Sequence, residues 1–114
     1  MDIIVNTEKD YTLIRLTGRL EATQAPALTE TIQKALQEGP SSLILDCSVL
    51  SYVASMGLRC FLLAQKGTQS AGGKLVFFGL NENVRAVLSM TGFDKVVQVR
   101  VSLEDALAVL APLN

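Results

Sequence analysis

Ser55 is the side chain in this sequence best placed to do chemistry. It stands in "YVASMGLR", residues 52–59, between a strand-like apolar run and a helix-like run, with Met56 and Gly57 directly behind it. A serine there can attack, cap a helix or receive a phosphate. A nucleophile needs a base within reach. The 114 residues contain no His, which removes the commonest general base and the commonest metal ligand together. No Lys adjoins Ser55, and "ASMG" is not the G-x-S-x-G elbow. Neither a Walker loop nor G-x-G-x-x-G occurs. Glu21 and Asp46 are carboxylates that no spacing rule connects. Asp46 closes "LILD" and reads as a strand-end acceptor that ties down a loop. The expectation is a protein that is not an enzyme, with no catalytic residue, no metal and no cofactor.

The two remaining roles of Ser55 suit its place in the chain. If the helix begins at Met56 or Gly57, Ser55 is its N-cap, worth about 1 kcal/mol. A phosphate on Ser55 would also be stabilised, because helix N-termini attract anions. The same group would disturb a docked partner through charge and desolvation. Met56 either packs beneath the loop or offers an adaptable apolar contact to a partner, and the second reading is preferred. Arg59 reads first as a solvated charge and second as a partner contact.

These residues need elements to hold them. "DIIVN" and "YTLIRLTG" read as two antiparallel strands joined by a turn at "TEKD". Ala25, Leu28, Ile32 and Leu36 recur at helical spacing, so a helix is expected from about Thr23 to Glu38. Thr23 and Gln24 would cap it, Pro26 suits a first turn, and Gly39-Pro40 is a stop. "SLILD" is continuously apolar, as a strand covered on both faces should be. A second helix follows, with Leu58, Phe61 and Leu62 on one face and Arg59, Lys66 and Gln69 towards water, ending at Gly72-Gly73. "KLVFFG" is another buried strand. "NENVRAVLSMTG" is a shorter helix that turns Val84, Val87 and Leu88 inward, with Asn83 and Arg85 at its exposed start. "KVVQVR" is the last strand, and "SLEDALAVL" is a helix capped by Ser102, with Asp105 in a capping-box position. The order ββαβαβαβα implies an α/β fold with a mixed, mostly parallel sheet of four to five strands and about four helices.

Composition bounds the function classes. With 49% hydrophobic residues the chain can bury a core without disulfide or metal. Ten Lys and Arg against eleven Asp and Glu leave a net charge of −1, which favours neither nucleic acid nor an anionic membrane. Cys47 and Cys60 lie in apolar surroundings and read as buried, reduced thiols. No apolar run is long enough to span a bilayer, and "MDIIVNTEKD" does not look like a signal peptide. A cytoplasmic location without membrane insertion is expected, with residues 1–114 as one domain. The number of associated copies is left open.

"TGRLEATQAPAL", "LILDCSVLSYVASMGL", "GGKLVFFGLNENVRAVLSMTGFDKV" and "SLEDAL" together resemble a STAS domain over almost the whole chain. The resemblance is closest to free-standing bacterial anti-sigma factor antagonists. It implies a protein-binding switch. Such antagonists bind an anti-sigma factor that is also a serine kinase, and so free a sigma factor. The kinase then phosphorylates a Ser or Thr at the start of the second helix, which ends the interaction, and a phosphatase resets it.

The family's loop commonly reads D-S-S-G-L or D-S-T-G-L. Here Gly57 and Leu58 match, Ser55 matches the first hydroxyl residue, Met56 replaces the usual acceptor, and Ala54 replaces the Asp. Glu21 stands for an Asp after G-x-L, and Asp46 matches a strand-end Asp. The resemblance thus implies a partner-binding surface of Glu21, Thr23, Asp46, Ala54, Ser55, Met56, Gly57, Leu58 and Arg59, with Ser55 as phosphorylation candidate. One residue of displacement turns a helical side chain by about 100°, so the switch is either moved to Ser55 or absent. The alternative is an accessory STAS subunit of a transporter or signalling scaffold without phospho-switching. A small-molecule role at the same loop has little behind it, since no phosphate loop or basic cluster is present.

Overall fold

Alternating apolar residues in the first two strands set the sheet. The computed structural model describes residues 1–111; the expected domain's last three residues, 112–114, lie outside the described residues. β1 (Asp2–Thr7) pairs antiparallel with β2 (Thr12–Leu20), and the Glu8 amide closes the turn on the Tyr11 carbonyl at 2.9 Å. The chain then makes a 3-10 turn at Ala22–Gln24 and enters α1 (Ala25–Glu38). β3 (Leu43–Val53), α2 (Ser55–Ser70), β4 (Leu75–Phe78), α3 (Glu82–Met90), a second 3-10 turn (Phe93–Lys95), β5 (Gln98–Arg100) and α4 (Leu103–Leu110) follow. The sheet order is β1-β2-β3-β4-β5, with every pair after the first parallel. This is the expected α/β architecture with five strands.

Strand alternation divides the core in two. Leu43, Leu45 and Cys47 of β3 and Leu75 and Phe77 of β4 point to one face, where Leu28 and Ile32 of α1, Phe61 of α2 and Leu88 of α3 cover them. Ile44, Val76 and Phe78 point to the other face, where they meet Ala106 of α4. Phe61 meets Phe77 edge-on, with ring centres 4.9 Å apart. Each such side chain, fully buried, contributes about 1.5–3 kcal/mol. The larger core fixes α1 and α2 on one face of the sheet.

Several boundaries differ from expectation. The strand beginning at "SLILD" does not end at Asp46 but continues to Val53 along β2. Its ladder shifts register between Arg15 and Thr17 and again between Gly18 and Arg19. Such bulges break the two-residue alternation, and burial in this half recurs at Cys47, Leu50 and Val53. α3 begins at Glu82, one residue earlier than Asn83 suggests, because the Asn81 side chain caps it by accepting from the Val84 amide at 2.8 Å. Val87 is only half-buried there, and on α2 Leu62 faces solvent while Cys60, Phe61 and Ala64 turn inward. The last strand shrinks to three residues after the turn at Phe93–Lys95. Ser102 caps α4 as expected, its hydroxyl accepting from the Asp105 amide at 3.2 Å.

Candidate functional site

The turn into α2 is built by the last rung of the β2/β3 ladder. Leu20 pairs with Val53, and the Ala54 amide donates to the Leu20 carbonyl at 2.8 Å. The Ala54 carbonyl then accepts from the Gly57 and Leu58 amides at 2.9 and 3.2 Å. The strand therefore passes into the helix with no intervening loop. Ala54 occupies the cap position in extended conformation and has no side-chain oxygen to offer. Ser55 is the first helical residue, which corrects its expected role as N-cap. Its side chain is exposed.

Gly57 explains why the helix sits so close. A Cβ at this position would lie 2.7 Å from Leu20 Cδ2 and 2.9 Å from Val53 Cγ1. The first turn of α2 rests directly on two buried side chains of the strands that precede it. That contact holds Ser55 and Met56 outward, and Met56 is 44% exposed. Burial of Met56 beneath the turn is thereby excluded. Leu58 is half-buried against the large core, and Arg59 is exposed.

The neighbouring wall comes from the segment between β2 and α1. Thr23 lies inside the 3-10 turn and is not the N-cap of α1, whose cap position is Gln24. The Gln24 side chain instead accepts from the Glu21 amide at 2.9 Å, which pins the turn. Arg19 pairs with Glu21 at 3.2 Å and lays its guanidinium 4.2 Å from the centre of the Tyr52 ring. Between this wall and α2 runs a cleft of about 390 Å³, lined by Ala22, Ala25 and Pro26 on one side and Met56, Arg59, Cys60 and Leu63 on the other. Leu63 is 46% exposed. The sequence reading missed Leu63, Tyr52 and Arg19. Leu63 was findable, since it lies two helical turns after Met56 on the same face.

Asp46 is placed elsewhere. It is only 8% exposed and points to the sheet face that carries Ile44, away from α2. Its Oδ1 accepts from the Ser48 amide at 2.9 Å and the Ser48 hydroxyl at 2.6 Å, and its Oδ2 lies 3.8 Å from Arg15 Nε. Asp46 was expected to end a strand and tie down a loop; it instead lies within β3, where its carboxylate holds Ser48 at the point where the ladder shifts register. Beside it, burial first and the Asp46 charge second push the Cys47 thiol far above its ordinary range, so it stays neutral. Cys60 is also buried and reduced, with its Sγ 3.3 Å from Thr29 Oγ1. Of the nine residues read as a partner surface, Glu21, Thr23, Ala54, Ser55, Met56, Gly57, Leu58 and Arg59 gather at this end of β2, β3 and α2; Asp46 does not.

The arrangement offers an exposed hydroxyl, a helix N-terminus and an apolar cleft on a rigid support. The STAS domain family model matches residues 2–106. BtrV of Bordetella bronchiseptica, a candidate anti-sigma factor antagonist, is 32% identical over 93 residues, covering 82% of this chain and 80% of its own. The anti-sigma-B factor antagonist of Listeria monocytogenes is 26% identical over 97 residues, covering 85% of each chain. Among solved structures, an anti-sigma factor antagonist from Mycobacterium paratuberculosis superposes with TM-score 0.86 at 22% identity, over 96% of this chain and 92% of its own. Unphosphorylated SpoIIAA gives 0.84 at 19%, over 99% and 100% of the two chains. A sulfate transporter family protein from Wolinella succinogenes gives 0.78 at 18%, over 92% and 88%. These structural likenesses speak to the fold.

Proposed function

We propose a function from one premise: the chain belongs to the STAS domain family. It acts as a protein-binding regulatory module of the anti-sigma factor antagonist kind, without catalysis of its own. The face around Ala54–Arg59, flanked by Glu21 and Thr23, docks an anti-sigma factor of the serine kinase type and so frees a sigma factor. The carrying observation is Met56, which stands 44% exposed on the first turn of α2 at the mouth of an apolar cleft. An apolar side chain held in water beside a cleft gains by being covered. The relatives named as antagonists support the choice of partner. Acting on an anti-sigma factor, the protein works in the cytoplasm, where residues 1–114 serve as one domain.

Regulation follows from Ser55. Its hydroxyl is exposed at the first residue of an uncapped helix, so a phosphate there meets the positive end of the helix and free backbone donors. The added charge would also lie beside Met56 and oppose an apolar contact. The partner kinase phosphorylates Ser55, docking is lost, and a phosphatase restores it.

The experiment is calorimetric titration of a serine-kinase anti-sigma factor with the wild type and with Met56→Asp. Binding should weaken by about tenfold or more, corresponding to about 1.4 kcal/mol. Equal affinity for both proteins would remove this surface assignment. Incubation with the kinase and ATP should add a phosphate that Ser55→Ala abolishes; an unchanged mass would remove the switch and leave docking standing. Met56, where the family's loop has a hydroxyl, also fits a second reading, an accessory transporter subunit. Co-purification with a transporter component, and no affinity for any anti-sigma kinase, would decide for that reading.

A further inference from the structure

The two edges of the sheet are unequal. β5 is three residues long and offers a neighbour few free backbone groups, one of the ways natural sheets blunt an edge. β1 spans six residues and pairs on one side only, in a ladder without a bulge. It contains no proline, lysine or arginine, and its one charge, Asp2, stands at its first position. Ile4 is 46% and Val5 44% exposed. An edge of this kind is a template for another strand.

Beside it, on the face that carries α1, runs an open cleft of about 330 Å³ whose lining includes Val5, Thr7, Lys34, Ala35 and Glu38. Lys34 and Glu38 lie about one helical turn apart on this wall. Among the described residues neither belongs to an ion pair. We propose that β1 is a self-association edge, through which two copies pair β1 to β1, antiparallel, about a two-fold axis. The axis reverses α1 in the second copy, so Lys34 of each copy approaches Glu38 of the other. A two-fold interface must be self-complementary. An apolar strip flanked by one cation and one anion a turn apart meets that condition. A foreign strand would satisfy the backbone groups equally well but would not supply the reciprocal charges. That asymmetry selects a second copy as the occupant.

The test is sedimentation equilibrium from dilute to concentrated protein, with far-UV circular dichroism to confirm that each variant is folded. Wild type should move from the monomer mass towards the dimer mass. Val5→Lys should hold it at the monomer mass. Lys34→Glu should raise the dissociation constant by about tenfold, and the exchanged pair Lys34→Glu with Glu38→Lys should bring it back. A wild type that stays monomeric throughout overturns the proposal. So does a folded Val5→Lys that still dimerises, or an exchanged pair that dimerises no better than Lys34→Glu.

Discussion

Ala54 and Gly57 show how two small residues set the turn into α2. Ala54 has the extended backbone of a helix cap but no oxygen to use. Ala54→Asp should therefore stabilise the fold by about 1 kcal/mol, visible as a raised midpoint in urea unfolding; no gain would mean the first turn is already satisfied. Gly57→Ala pulls the other way. Alanine is favoured in a helix by about 1 kcal/mol, but its Cβ would meet Leu20 and Val53 at 2.7–2.9 Å. Overpacking of this sort costs about 1–3 kcal/mol, so net destabilisation is expected by the same measurement. Cys47 gives a pH test. Its thiol stays neutral in the fold well above its ordinary value of 9.0, whereas in the unfolded chain it ionises near that value. Stability from this group is thus complete below pH 9.0 and falls as pH rises further, by up to about 1.4 kcal/mol per unit. Cys47→Ala should flatten the alkaline limb of stability against pH, and an unchanged slope would contradict the assignment.

Among the elements, legibility in the sequence tracked punctuation. Gly39-Pro40 closes α1, Gly72-Gly73 follows α2, and Ser102 caps α4, each a local signal with one physical meaning. The order of strands and helices came from such marks and from apolar periodicity. The second half of β3 was not legible, because its bulges replace a two-residue burial rhythm with one of three and make "CSVLSYV" resemble a loop. The caps at Thr23 and Ser55 were misplaced for a related reason. A hydroxyl near a helix start suggests a cap, but here the strand runs straight into α2, and a 3-10 turn consumes Thr23 before α1 begins. The segment Ala54–Arg59 was legible as one site because it is contiguous, whereas Glu21 and Asp46 were both tied to it by likeness, and only Glu21 lies at that end of the fold. Tyr52 required the packed structure, since only the pairing of β2 with β3 sets it beside Arg19. Phe77, buried between Phe61 and Phe93 at the centre of the large core, sets the platform beneath α2. Phe77→Ala should cost about 3–5 kcal/mol in chemical unfolding. A loss below that range would mean the core collapses to fill the space.

At the scale of the whole molecule, function is a matter of separating surfaces. α1, α2 and α3 cover one face of the sheet, α4 covers part of the other, and the turn into α2 is left open at one end. No helix among the described residues is long and apolar enough to cross a membrane. A rigid face of this kind suits repeated docking and release. The most direct measurement is amide hydrogen exchange of the wild type alone and with a serine-kinase anti-sigma factor. New protection is expected to concentrate at residues 19–26 and 54–63, with little change around Arg15 and Asp46 on the opposite sheet face. Protection centred on Arg15 and Asp46, with the turn into α2 exchanging as freely as before, would contradict it.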